Sequence, residues 1–249
     1  MAFEVYSHRG FHPNSPENTL NAFRLAYEFS PNIELDTRLT KDKIPIIIHD
    51  DVLDTTTDGH GLVSETCFNT IRTLKTRARN GPSTTLFNER IPSLNEVLHN
   101  MPAETNYQIE LKHPGVVGPV SDCLSASRIP ADKVFFTSFY QEVLKEAKAQ
   151  SPSIRRLFLI SSSIGYKHGL ADVRGINEQG LIFQGVGLAD SLPREFKDRL
   201  KAEDVEMFRK ERLQIGCYLV DSSKRARTLE QWGVDGIVTD RIDLFKDFK

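Results

Sequence analysis

Short β-rich runs alternate with segments of helical period along almost the whole chain, and this alternation limits the possible folds more than any other feature. Strand signal falls at 3–8, 32–39, 45–49, 106–112, 133–137, 155–160, 181–185, 214–220 and 236–239. Helical period falls at 18–29, 66–75, 93–100, 116–127, 139–150, 192–212 and 223–232, with a weaker stretch at 166–176. Strands joined through helices pair in parallel and need cover on both faces of the sheet. The chain has 249 residues, no low-complexity linker and no repeat of fixed period. It therefore reads as one α/β domain over residues 1–249, a single TIM-type (β/α)8 barrel, a fold of about 250 residues. A hydrophobic content of 39% is enough to build its core.

Nine strand candidates are one too many for eight staves. The surplus lies where "RLTKDKIP" joins two strands without room for a helix, so a turn at Lys41-Asp42 makes a hairpin there. A register centred on that turn sets His49 opposite Glu34. From about 51 to 104 strand signal is weak and turn-rich pieces such as "TTDGHG" and "RNGPS" recur, which reads as a small insertion after the third strand, over the barrel mouth.

In "NIELDTRL", Ile33 and Leu35 share one face of a strand while Glu34 and Asp36 share the other. "NYQIELKH" repeats the design, with Tyr107, Ile109 and Leu111 against Gln108, Glu110 and Lys112. A barrel strand turns one face to the helices and one to the lumen, so three carboxylates would converge inside. Burying them together is costly without a cation. A divalent metal held by Glu34, Asp36 and Glu110 answers that cost, and all-oxygen ligation suits Mg²⁺ or Ca²⁺ better than zinc. Either strand alone also fits a solvated polar face; the two together favour the metal.

"SHRG" and "IPIIIHDD" each place a histidine, His8 and His49, at the carboxyl end of an apolar run, where barrel enzymes keep their chemistry. Two imidazoles flanking a phosphate can act as general acid and base. His12, His60, His99, His113 and His168 lack this placement and read as surface or structural. Arg9 offers a planar fork for phosphate oxygens and Lys112 a point charge; a salt bridge from Arg9 to Glu17 or Asp36 fits the local sequence equally well. In "SPENT", Ser15 as N-cap, Pro16 at the first helical position and Glu17 in the first turn read as a helix start.

Lys and Arg number 32 against 34 Asp and Glu, a formal charge of −2 that provides no global field for nucleic acid. Three scattered cysteines imply neither a disulfide framework nor a zinc knuckle. No run is long enough to span a membrane, and the N-terminus has no basic region or long apolar run of a signal peptide, so the expectation is a cytoplasmic protein with no stable membrane insertion. "DDVLDTTTDG" lacks the spacing of a calcium-binding EF-hand loop, and "QGVGLAD" lacks the third glycine of a dinucleotide site.

Taken in order, "HRG" (8–10), "PENT" (16–19), "ELDTRLTKDKIPIIIHD" (34–50), "IPSLNEVL" (91–98), "IELK" (109–112), "TSF" (137–139) and "GVDGIVTD" (233–240) resemble the glycerophosphodiester phosphodiesterase family over nearly the whole chain. The resemblance implies a barrel related to the phospholipase C-like phosphodiesterases. It also implies metal-dependent hydrolysis of a small glycerophosphodiester to glycerol 3-phosphate and an alcohol. On matching positions it implies Glu34, Asp36 and Glu110 as metal ligands, His8 and His49 as the acid-base pair, Arg9 and Lys112 as phosphate contacts, and Glu17 and Asn18 in support. Two departures bear on substrate. Where the family commonly has a "WTVN"-like strand, this chain has "CYLVDS", so Tyr218 would form the wall beside the glycerol and Asp221 would replace a neutral amide. Arg241-Ile242 stands where a proline often follows "TD". Rival readings are a lysophospholipase D, with Leu62, Val63, Phe68, Leu86 and Phe87 lining an acyl groove or packing the insertion, and a barrel that only binds phosphorylated ligands.

Overall fold

The structure is a computed structural model and describes residues 3–13, 15–79, 85–160, 173, 184–190, 200–246 and 248. Nine strands are present among them: β1 (Glu4–Ser7), β2 (Asn32–Leu39), β3 (Pro45–Ile47), β4 (Asn106–Leu111), β5 (Val134–Ser138), β6 (Arg155–Ile160), β7 (Gly185–Ala189), β8 (Gln214–Tyr218) and β9 (Gly236–Thr239). Eight of them close a ring in the order β1-β9-β8-β7-β6-β5-β4-β2, sealed by the β1–β2 pairing at Ser7 and Ile33. Every ring pairing is parallel. The ninth, β3, lies outside the ring, antiparallel on β2. This is the TIM-type barrel, with its extra strand where the chain has no room for a crossover helix.

The described helices are α1 (Leu20–Tyr27), α2 (Phe68–Ile71), α3 (Leu94–Asn100), α4 (Val117–Ser127), α5 (Gln141–Gln150), α6 (Ala202–Arg209) and α7 (Ser223–Gln231). The outward strand residues Ile33, Leu35, Tyr107, Ile109 and Leu111 form a core with Phe23, Leu94, Val97, Val120 and Val143 of the helices. A second core gathers Val186, Leu188, Ile215, Cys217 and Ile237 against Val205, Phe208 and Leu229. A smaller cluster of Tyr6, Phe135, Leu157 and Val238 fills the lumen, where Tyr6 and Phe135 meet edge to face at 5.3 Å. The three cysteines are free, Cys67 exposed and Cys123 and Cys217 buried.

Several elements differ from their sequence-based bounds, each for a local reason. The helix expected at 18–29 with Ser15 as its cap instead begins at Leu20 behind Thr19, whose hydroxyl accepts from Ala22 N at 3.2 Å. Asn18 stands at φ 57, outside helical geometry, so the helix cannot start earlier. The hairpin turn is one residue wider than expected. Thr40 Oγ1 donates to Asp42 and accepts from Ile44 N, Lys43 takes φ 62, and the ladder pairs Thr37 with Ile47 and Leu39 with Pro45. His49 is therefore not opposite Glu34; β3 ends at Ile47 and the histidine lies beyond it.

Of the strand expected at 181–185, residues 184 and 185 are described, and β7 runs over Gly185–Ala189. Gly187 sits inside this strand although glycine is scarce in strands. Here Leu159 Cδ2 fills the lumen where a Cβ on Gly187 would stand, 2.5 Å away. The helix expected at 66–75 is the single turn α2. Of 192–212, residues 200–212 are described, and Ala202–Arg209 are helical. The stretch 166–176 lies outside the described residues apart from Val173, which is helical and buried.

Candidate active site

The carboxyl ends of β1, β2 and β4 bring the charged residues together. In the parallel β2–β4 ladder Glu34 lies beside Gln108 and Asp36 beside Glu110. Their neighbours Ile33, Leu35 and Ile109 point to the helices, so the acids point inward. Carboxylate oxygens of Glu34, Asp36 and Glu110 lie within 4.8 Å of one another, and all three residues are buried.

Two cations enter this cluster. Lys112 Nζ lies 2.9 Å from Asp36 Oδ1 and 2.7 Å from Glu110 Oε1. Arg9 Nε lies 3.0 Å from Asp36 Oδ2, and its Nη1 donates to Glu17 Oε1 at 3.0 Å. Arg9 thus makes both salt bridges open to it in the sequence while still lining the cleft. Its backbone, at φ 54, turns its N–H onto Glu34 Oε2 at 3.0 Å. Asn18 Nδ2 donates to Asp36 Oδ2 at 2.8 Å. The next residue in the turn, Gly10, has φ 81, and a Cβ there would sit 2.7 Å from the Ala22 carbonyl carbon.

The cleft above these groups spans about 620 Å³, including space open to solvent, and is lined by His8, Arg9, Glu34, His49, Glu110 and Lys112, with Tyr218, Phe139, Leu159 and Leu219 as an apolar wall. Tyr218 stands edge to face with Phe139 at 6.4 Å, and its hydroxyl donates to Ile160 O at 2.9 Å. Val63 and Phe68, residues of the acyl-groove alternative, pack with Leu53, Ile71 and Ile91 against Ile46 and Ile48. None of Leu62, Val63, Phe68, Leu86 and Phe87 lines the cleft.

Both cleft histidines are held at Nδ1 by a carboxylate. His8 Nδ1 lies 2.6 Å from Asp240 Oδ1, and His49 Nδ1 lies 2.7 Å from Asp50 Oδ1. Donation from Nδ1–H to the acid leaves each Nε2 as the exchanging atom. Asp240 is aligned in turn by Asp221, whose Oδ1 accepts from Asp240 N at 2.9 Å and Thr239 Oγ1 at 2.8 Å. Arg79, from the segment between β3 and α3, grips Glu17 with Nε and Nη2 and meets Asp50 Oδ2 at 2.9 Å.

Asp50, Asp240 and Arg79 went unassigned in the sequence. Asp50 adjoins a cleft histidine and Asp240 closes the last motif, so the need of an acid-base imidazole for an orienting acid could have pointed to both. Arg79 had no signal. His12, read as surface or structural, is half-buried with Nε2 at 3.4 Å from Asp240 Oδ1. His60 and His99 are exposed, and His113 Nε2 accepts from Leu39 N. His168 lies outside the described residues.

Burial and the neighbouring Asp36 and Glu110 charges push Glu34 well above its ordinary value. Burial likewise raises Glu110, to about 7, although Lys112 opposes the rise. Burial would raise Asp36 too, but Lys112 and Arg9 outweigh it and hold this carboxyl well below the usual range. Burial lowers His49, favouring the neutral imidazole. Asp50, raised by burial but held by His49, Thr55 and Arg79, falls to about 2.

The glycerophosphoryl diester phosphodiesterase family model matches residues 8–244. The chain belongs to the glycerophosphodiester phosphodiesterase family. The Bacillus subtilis protein YhdW is 31% identical over 251 residues, covering 98% of each chain. A glycerophosphodiester phosphodiesterase of Caldanaerobacter subterraneus is 29% identical over 95% of this chain and 93% of its own. Among solved structures, a phosphodiesterase of Oleispira antarctica in complex with the product sn-glycerol-3-phosphate superposes with TM-score 0.80 at 25% identity, covering 97% of this chain and 94% of that one. Members of this family are phosphoric diester hydrolases, and the chain is an enzyme of that class. The acids Glu34, Asp36 and Glu110 form a candidate metal-binding group within the matched region. No helix among the described residues is long and apolar enough to cross a membrane.

Proposed function

We propose that this family member hydrolyses glycerophosphodiesters to glycerol 3-phosphate and an alcohol, with Mg²⁺ or Ca²⁺ held by Glu34, Asp36 and Glu110, and with His8 and His49 exchanging protons. One observation carries the reading: two imidazoles, each tethered at Nδ1 to an acid, face the same cleft over three converging buried carboxylates.

The donor set fits a hard divalent cation. All three groups offer oxygen, and two of them are driven toward the protonated form by burial and by the neighbouring acid charges. Contacts join five carboxylates (Glu17, Glu34, Asp36, Asp50, Glu110) to three cations (Arg9, Arg79, Lys112), leaving a formal deficit of two positive charges. When bound, the ion supplies that charge and polarises a phosphoryl oxygen. Arg9 and Lys112, fixed by Asp36, present donors to the phosphate. His49, held neutral by burial, accepts the proton of the attacking hydroxyl at Nε2, and His8 returns one to the departing alkoxide. Tyr218 and Phe139 form an apolar wall against which the glycerol carbons lie. The cleft opens within one 1–249 domain, with the insertion of about 51–104 supplying Arg79, and its substrate is a small molecule rather than a nucleic acid.

The test is release of glycerol 3-phosphate from glycerophosphocholine with Mg²⁺, with Ca²⁺ and with EDTA, for the native protein and Glu34→Ala. Metal-dependent release lost in the variant supports the reading. Release that persists in EDTA, or folded protein inactive with every metal, defeats it.

A further inference from the structure

We propose that Arg79 is a positioning residue that couples the proton-accepting His49 to the phosphate-facing Arg9. The inference rests on the roles proposed above for those two residues. Arg79 Nε and Nη2 form a fork on Glu17, at 2.9 Å to Oε2 and 2.8 Å to Oε1. Its Nη1 meets Asp50 Oδ2 at 2.9 Å. Both carboxylates are also engaged with the cleft: Asp50 Oδ1 holds His49 Nδ1 at 2.7 Å, and Glu17 Oε1 accepts from Arg9 Nη1 at 3.0 Å. The result is an unbroken chain, His49–Asp50–Arg79–Glu17–Arg9, spanning from one flank of the cleft to the other.

Arg79 does not line the cleft, so it acts only through its partners. Among the members of this chain it alone comes from the segment between β3 and α3; Arg9 stands just after β1, Glu17 just ahead of α1, and His49 and Asp50 just after β3. A carboxylate gripped at one oxygen can still rotate about its terminal torsion, and gripping the second oxygen stops it. Asp50 Oδ2 is fixed by the guanidinium, and Thr55 is a further side-chain partner of the carboxylate. The planar fork serves two acids in fixed directions, which a lysine ammonium cannot reproduce. The side chain is 28% exposed, open enough for a small cation to reach the vacated place.

The experiment measures kcat and KM for glycerophosphocholine at saturating divalent metal in the native protein, Arg79→Ala and Arg79→Lys, with and without millimolar guanidinium. Thermal unfolding is followed in parallel. Because misplacement of about 1 Å can cost about a hundredfold in rate, kcat of Arg79→Ala is expected to fall about ten- to a hundredfold. KM should change by less than about threefold, since Arg9 keeps its charge contact with Asp36. Guanidinium should restore much of the loss, and lysine should recover little. A kcat within about twofold of native, or a loss that guanidinium leaves untouched, overturns the proposal. Should Arg79→Ala fail to fold, Arg79→Gln replaces it with the same expectation. If the native protein turns over no glycerophosphodiester, the functional reading fails by itself, and a crystal structure of Arg79→Ala decides this one. Turned carboxylates at Asp50 and Glu17 uphold it, and carboxylates still seated on His49 and Arg9 overturn it.

Discussion

Glu110→Gln should make the metal-free protein more stable and the enzyme inactive. Burial raises the Glu110 carboxyl from an ordinary 4.5 to about 7, even with the Lys112 ammonium 2.7 Å away. A carboxyl with a raised value binds its proton more tightly in the folded state than in the unfolded one. Its stabilising contribution is therefore complete below pH 4.5, fades as pH rises, and is gone once pH passes about 7. At about 1.4 kcal/mol per tenfold, keeping Glu110 charged inside the fold costs about 3 kcal/mol at pH 8. The attraction of Lys112 is already contained in that figure. Glutamine has the shape of the acid and never bears the charge. Its effect on Glu34, itself raised partly by the Glu110 charge, has the same sign.

Urea unfolding in EDTA checks this directly. At pH 4.5 the variant and the native protein should unfold together; by pH 8 the variant should be ahead by about 1–3 kcal/mol. Saturating Mg²⁺ or Ca²⁺ should reverse the order, because only the native protein gains the binding free energy of the ion. Equal stability at pH 8 in EDTA would refute the account of the acidic cluster. A variant that metal stabilises as much as the native protein would remove Glu110 from the ligand set.

Other perturbations separate the remaining contacts. Lys112→Met leaves Asp36 and Glu110 facing each other, and metal-free stability at pH 8 should fall by about 3 kcal/mol, most of it regained on adding divalent metal in a thermal scan. Asp240→Asn keeps the shape of the His8 partner but allows the wrong tautomer, so kcat should drop by about 10² to 10⁴ with the fold unchanged by circular dichroism. A drop under about threefold would mean that His8 does not need the acid. Gly10→Ala forces a methyl group to 2.7 Å from the Ala22 carbonyl carbon at φ 81, and should lower unfolding free energy by about 2 kcal/mol or more.

What the sequence discloses follows the reach of its periodicities. A period of two is local, so "NIELDTRL" and "NYQIELKH" show which side chains share a face before anything is known of the partner strand. The barrel then converts a shared face into a shared lumen, and the β2–β4 ladder sets Asp36 beside Glu110. Register across a turn is less accessible. One left-handed residue, Lys43, shifts the β2–β3 ladder by a place, and nothing in "TKDK" announces it. Gly187 is obscure for a different reason: its value to the strand is the space it leaves for Leu159 from the next stave, a fact about packing and not propensity.

The orienting groups illustrate the same limit in chemical form. A buried imidazole needs an acid at Nδ1, but chemistry does not specify where in the chain that acid must lie. For His49 it is the next residue; for His8 it is 232 residues away, brought close because β1 and β9 are neighbours in the closed ring. Ring closure in turn depends on the parallel pairing of the first and last staves, which aligns Ser7 with Thr239 and lets His8 N donate to Thr239 O at 2.9 Å. The residue after each of these partners is thus delivered to the same rim, His8 from one stave and Asp240 from the other. Topology, rather than local pattern, pairs this histidine with its acid, and any change that opens the β1–β9 seam should silence His8 before it unfolds the barrel.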